Sequence, residues 1–153
     1  MTERPALFLK QCLLLFWAVW LTVVFATNFM DRAKALGLLP ESWSFASGNY
    51  QFVCATTARY GTPAWLNGLL FLGVVVWEGV AALLCWRAWW RFGDKATERR
   101  RPLYAAFTVS LLLWAAFLVA DEVFISYTVA GTHLWLFVAQ VVTLLAIELL
   151  PEE

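Results

Sequence analysis

Four stretches of this chain are almost free of charge, and each is long enough to cross a bilayer. No Asp, Glu, Lys or Arg lies between Lys10 and Asp31, between Arg101 and Asp121, or between Glu122 and Glu148. Between Arg59 and Arg87 there is only Glu78. A membrane-crossing helix needs about 20 mostly apolar residues, so the gaps predict spans at about 7–27, 65–87, 103–125 and 134–150. The unbroken Leu, Val, Phe and Ala runs predict helices, because a membrane strand alternates apolar and polar residues over about ten positions. The expected fold is therefore all-α and integral to a membrane. It is a single domain, 1–153, of four transmembrane helices in a bundle, with an outer segment 28–64 and a basic cytoplasmic loop 88–102.

Composition narrows the function classes. The chain is 62% apolar and 14% charged, whereas soluble domains are about a quarter charged. Eleven basic residues balance eleven acidic ones. That excludes a soluble globular enzyme, a disordered chain and a nucleic-acid binder. The N-terminal apolar run holds Trp17 and Trp20 and lacks a small-residue cleavage site before Asn28, so it is read as a retained helix rather than a signal peptide.

The placement of Lys and Arg sets the expected orientation. Arg4, Lys10, Arg87, Arg91, Lys95, Arg99, Arg100 and Arg101 fall on one side, and Arg32, Lys34 and Arg59 on the other. Eight against three places both termini and the basic loop in the cytoplasm. Trp86, Trp89 and Trp90 then sit at the inner interface, with Trp65 and Trp135 at the outer one. The outer segment carries Leu36, Leu38, Leu39, Trp43, Phe45, Tyr50, Phe52 and Val53, which is too apolar for a free loop. Gly and Pro break it into short pieces. One or two short helices are expected there, lying on the membrane surface or capping the bundle as a lid.

Few residues carry chemistry. Cys12, Cys54 and Cys85 form no C-x-x-C and no outward pair. His133 stands alone at the outer start of the fourth span, where it reads as a helix-start residue, and no metal site is predicted. No cofactor is predicted either, although a bound lipid or quinone is compatible with the aromatic interior. Arg99, Arg100 and Arg101 could hold anionic headgroups, each basic residue contributing about 1 kcal/mol near an acidic leaflet. No Walker loop, nucleophile elbow or zinc-protease motif is present.

The intramembrane carboxylates remain. Glu78 lies mid-span after Trp77, and a charge at the bilayer centre costs about 2.5–3.5 kcal/mol on insertion scales. It should face protein and be neutral at pH 7, as a candidate proton site. Indole N–H groups of Trp17, Trp20, Trp77 and Trp114 want partners at mid-membrane height, and Glu78 is the acceptor they would reach. Counting down the fourth span puts Glu148 near the depth of Glu78, where the two could share a proton. Alternatively, Glu148 snorkels to the cytoplasmic interface beside Glu152 and Glu153. Asp121 and Glu122 lie about one turn inside the outer end of span three. They are expected to pair with Arg59 or with lid amides, or else to form a cation site at the outer mouth.

Several short elements resemble a family of bacterial predicted small integral membrane proteins, domain of unknown function 2165. They are Phe25-x-x-Asn28-x-x-Asp31, Asn49-Tyr50-x-Phe52-Val53, Glu78 followed by Leu83-Leu84-Cys85, Leu113-Trp114, and Glu122-x-Phe124. The chain departs from the family pattern at Ala55, where a histidine is usual. It departs again at Ala120-Asp121-Glu122-Val123-Phe124, which stands in place of Gly-Gly-Glu-Trp-Phe. The resemblance implies a four-helix fold in the bacterial inner membrane and no assigned activity. The expected function is a small non-catalytic accessory or assembly subunit of a larger membrane complex, in contact with lipids. The alternative is a small oligomeric proton- or ion-coupled transporter using Glu78. A membrane enzyme acting on a lipid or quinone lacks a nucleophile–base pair.

Overall fold

The fold is that of a computed structural model describing residues 4–93 and 96–151. Lys95, Glu152 and Glu153 lie outside the described residues. Four long helices form a bundle: α1 (Arg4–Ala35), α3 (Ala64–Trp90), α4 (Ala96–Phe124) and α5 (Tyr127–Leu149). All four are long and apolar enough to cross a membrane. A short helix, α2 (Asn49–Thr57), and a 3-10 turn (Ala58–Tyr60) lie between α1 and α3. No strand occurs among the described residues.

α3 packs between α1 and α4, and α5 packs chiefly on α4 with lighter contact to α1. Small residues let α1 and α3 approach closely. A Cβ placed on Gly79 would meet the Phe25 ring at 3.1 Å, and Ala81, Ala82, Cys85 and Ala88 are buried along the same helix. Indole N–H groups staple the bundle further in. Trp17 donates to the Thr143 hydroxyl (3.0 Å), Trp77 to the Val109 carbonyl (3.0 Å) and Trp86 to the Thr22 hydroxyl (2.9 Å). The outward surface is apolar: Leu83, Trp135 and Leu149 are 70%, 73% and 80% exposed. Soluble monomers rarely expose contiguous patches of this kind, and lipid accounts for them.

The helices are longer than the charge-free gaps. α1 continues through Asp31, Arg32 and Lys34, and α4 already includes Arg99, Arg100 and Arg101, so most of the expected 88–102 loop is helical. α5 begins at Tyr127 rather than near 134. Gly131-Thr132-His133 reads locally as a loop, but packing against α4 carries the helix through it.

The α4–α5 connection is correspondingly tight. Ile125 N–H donates to the Glu122 carbonyl (3.3 Å) and Ser126 N–H to the Asp121 carbonyl (2.8 Å). This pair of bonds closes a Schellman-type helix end. The left-handed position falls on Ile125, with φ 53°, a conformation costly for a β-branched residue. Ile125→Gly should therefore raise stability by about 1 kcal/mol, read as a higher denaturant midpoint in micelles. An unchanged or lower midpoint would mean the Ile125 side chain more than offsets its backbone strain.

The segment between α1 and α3 packs against the bundle. Gly48, at φ 77°, turns the chain so that α2 starts against α1 and crosses α3. The following turn then reaches α4, where the Tyr60 hydroxyl donates to the Val123 carbonyl (2.6 Å). α2 and the turn after it thus form a strap, α2 lying on α1 and α3 and the turn reaching α4.

Candidate functional site: a buried polar network beneath the outer strap

Asn28 and Asp31 are one turn apart on α1 and share a face. They are buried, as is Glu78 on α3. Asn28 Nδ2 donates to both oxygens of Glu78, at 2.7 and 2.8 Å. Asn28 Oδ1 in turn accepts from Asn49 Nδ2 at 2.8 Å. The Glu78 carboxylate is thus tied through one amide to the first residue of α2.

Asp31 holds the same helix start from the other side. Its Oδ2 accepts from the Tyr50 N–H (2.7 Å) and from the Ser47 hydroxyl (3.1 Å), and Ser47 Oγ accepts from the Asn49 N–H (3.1 Å). The first amides of a helix have no intrahelical partners and carry positive partial charge, so a carboxylate placed there is favoured. The Arg32 guanidinium sits 5.7 Å from the Tyr50 ring centre, and that ring packs on Phe71 at 5.6 Å. Burial, then the neighbouring Cys54 side chain, raise the Tyr50 phenol above its ordinary value, and the Arg32 charge opposes them. Further along the strap, the Thr57 hydroxyl donates to Asn67 Oδ1 (2.8 Å) inside the packing.

The indoles do not converge on Glu78 as expected. Trp77 is adjacent in sequence but points to α4, because neighbouring helical residues diverge by about 100°. Trp17 reaches α5 instead, Trp20 is partly exposed, and the buried Trp114 N–H has no hydrogen-bond partner among the described residues. Gln140, fully buried on α5, likewise leaves both amide atoms unpaired there.

Glu148 does not meet Glu78 either. It lies beside the Tyr104 hydroxyl, toward the N-terminal end of α4. At about 1.5 Å per residue, Glu148 lies about 30 Å from the start of α5, against about 20 Å for Glu78 from the start of α3. The earlier start of α5 accounts for the difference. Arg99, Arg100 and Arg101 occupy the first turns of α4, with the Arg99 guanidinium 5.1 Å from the Phe92 ring centre.

The outer carboxylates find other partners than Arg59. Asp121, buried on α4, is 2.7 Å from His133 Nδ1 on α5. The imidazole stacks on Phe117 (centres 4.9 Å apart, 29° between planes) and faces Trp114 at 6.4 Å. Glu122 accepts from the Tyr127 hydroxyl at 3.4 Å. Arg59 lines a shallow hollow with Phe124, Ile125 and Tyr127. Among the described residues the strap is held to α4 by the Tyr60 hydrogen bond, not by an ion pair. Asp121 and His133 join α4 to α5. No group of three or more His, Cys, Asp or Glu is placed to hold a metal ion among the described residues.

Sequence reading passed over His133 as a partner and gave Asn28, Asp31 and Asn49 no role beyond a resemblance. The available signal was two polar residues three apart at the end of an apolar run, with no reason to point at lipid. No family model, curated protein or solved structure matches this chain.

Proposed function

We propose that this protein is a small, non-catalytic accessory or assembly subunit of a larger membrane protein complex. It would sit in a bacterial inner membrane with both termini and the Arg99–Arg101 run in the cytoplasm, in contact with lipids and a larger membrane partner. The supporting observation is how its buried carboxylates are used. Glu78 is closed on Asn28, Asp31 on the start of α2, and Asp121 on His133. Intramembrane ionisable groups usually mark a transport or proton path; these instead fasten helices and fix an outer strap. The resemblance to domain of unknown function 2165 belongs to the same reading. Asn28, Asp31, Asn49, Tyr50 and Glu78, which carry it, meet in one network.

Native extraction of the tagged chain, followed by blue-native separation and mass spectrometry, tests the reading. A stoichiometric larger membrane partner is the expected result. A lone homo-oligomer would overturn it. The orientation is checked in a cysteine-free background. A cysteine at Ser44 should label in intact cells, and one at Arg100 only after the inner membrane is opened; the reverse pattern would invert the topology.

One observation favours a second reading, a proton- or ion-coupled transporter. The Asn28–Asn49 pair links Glu78 to the outer segment. Glu78→Gln should then abolish coupled flux in proteoliposomes while leaving the fold intact. In the subunit reading the same variant assembles normally.

A further inference from the structure

Above the polar network lies a cleft of about 440 Å³, bounded by the end of α1, the loop before α2 and the first residues of α2. This volume is within the range of small-molecule sites, about 300–1,000 Å³. Its base includes Asp31, which is only 7% exposed. Asp31 Oδ2 is occupied by Tyr50 N–H and the Ser47 hydroxyl. Oδ1 takes no hydrogen bond from the described residues, and it is not sealed from the cleft that Asp31 lines. A buried carboxylate with one oxygen fixed and the other open is pre-oriented toward whatever enters.

The surroundings select for positive charge. Glu41 stands at the rim, and Lys34 is the one cation in the lining. The Lys34 ammonium is already committed, donating to the carbonyls of Glu41 (2.9 Å) and Trp43 (3.2 Å) and lying 4.0 Å from the Glu41 carboxylate. Two carboxylates against one tethered ammonium leave the lining side chains net negative, and the positive start of α2 is already engaged by Asp31 Oδ2. The C-terminal end of α1, at Ala35, adds the negative end of a helix dipole. Trp43 supplies an aromatic wall, its N–H pinned to the Phe45 carbonyl (3.2 Å). A negative pocket beside an indole suits an organic cation, whose charge gains from the ring face. A bare metal ion is disfavoured, since the described residues bring no three metal-ligating side chains together.

The geometry points to this cleft as a binding site for an ammonium group, primary or quaternary, carried by a free amine solute or by an aminophospholipid headgroup. Asp31 Oδ1 forms the charge-assisted contact, Trp43 stacks on the cation, and Glu41 closes the rim. This is independent of whether the chain is a subunit or a transporter.

The test uses the full chain in nanodiscs made only of phosphatidylglycerol, which contains no amine. Ethanolamine and choline are titrated by saturation-transfer NMR, with ethylene glycol and acetate as neutral and anionic controls. Saturable binding of an amine but not of the controls is expected. Trp43→Ala should weaken it about threefold or more, and Asp31→Asn should abolish it. Since Asp31 also holds the start of α2, the exposed-rim variant Glu41→Gln serves as a second probe and should weaken binding without touching the network. Nanodiscs doped with phosphatidylethanolamine then distinguish the sources by native mass spectrometry. Retention of that lipid by the parent, lost in Trp43→Ala, identifies a headgroup site. Free-amine binding without lipid retention identifies a solute site. No saturable binding of either, or binding unaltered by Trp43→Ala and Asp31→Asn, overturns the assignment.

Discussion

Asn28→Leu is expected to destabilise the protein by about 1–3 kcal/mol, the cost of leaving the buried Glu78 carboxyl without its hydrogen bonds. Among the described residues Asn28 is the only donor to the Glu78 carboxyl, and it gives both oxygens a hydrogen bond. Leucine fits the space but donates nothing, and lipid cannot replace the lost bond. Asn49 loses its acceptor at the same time, so the start of α2 should loosen as well. Faster proteolysis within 36–48 and a lower denaturant midpoint in micelles would both report this. The double change Asn28→Leu with Glu78→Leu should recover much of the loss, because two apolar side chains replace a matched polar pair. Additive losses in the double variant would show that the two side chains do not depend on each other.

His133→Phe is expected to cost about 3 kcal/mol by the same mechanism, between α4 and α5 toward the same end of the bundle. Phenylalanine keeps the ring stacked on Phe117 but removes the Nδ1 contact, stranding the buried Asp121 carboxylate. Because α5 packs chiefly on α4, the loss should be local. Amide exchange should rise along α5 while α3 stays protected. Asp121→Asn keeps a hydrogen bond to the imidazole and should cost under about 1.5 kcal/mol, the worth of one such bond. A His133→Phe protein as stable as the parent would mean that the aromatic stack, not the carboxylate contact, holds α5.

The difference between these two sites explains what could be read in advance. Glu78 stands out in the sequence because a lone charge in an apolar run must face protein. Its partner does not stand out, because Asn28 lies fifty positions away at the end of another apolar run. The indoles were the expected donors by height along the helices, yet helical rotation sends Trp77 to Val109 and Trp17 to Thr143. Asp121 and Glu122 were recognisable as a pair needing donors. Arg59 was the natural choice by charge and side of the membrane, but His133 is delivered by the early start of α5. Glu148 shows the same effect: a boundary moved by seven residues displaces it by about two turns.

Residue type and spacing are enough to set the number of long helices, their apolar faces and the need for buried carboxylates to find protein partners. Those follow from transfer energies, which depend only on residue type and on runs of about twenty positions. Packing alone sets α2 across α1 and α3, closes Asn28 on Glu78, and turns one Asp31 oxygen to the start of α2. Such choices rest on hydrogen-bond geometry between distant segments, where a rotation of 100° or a shift of one turn exchanges one partner for another.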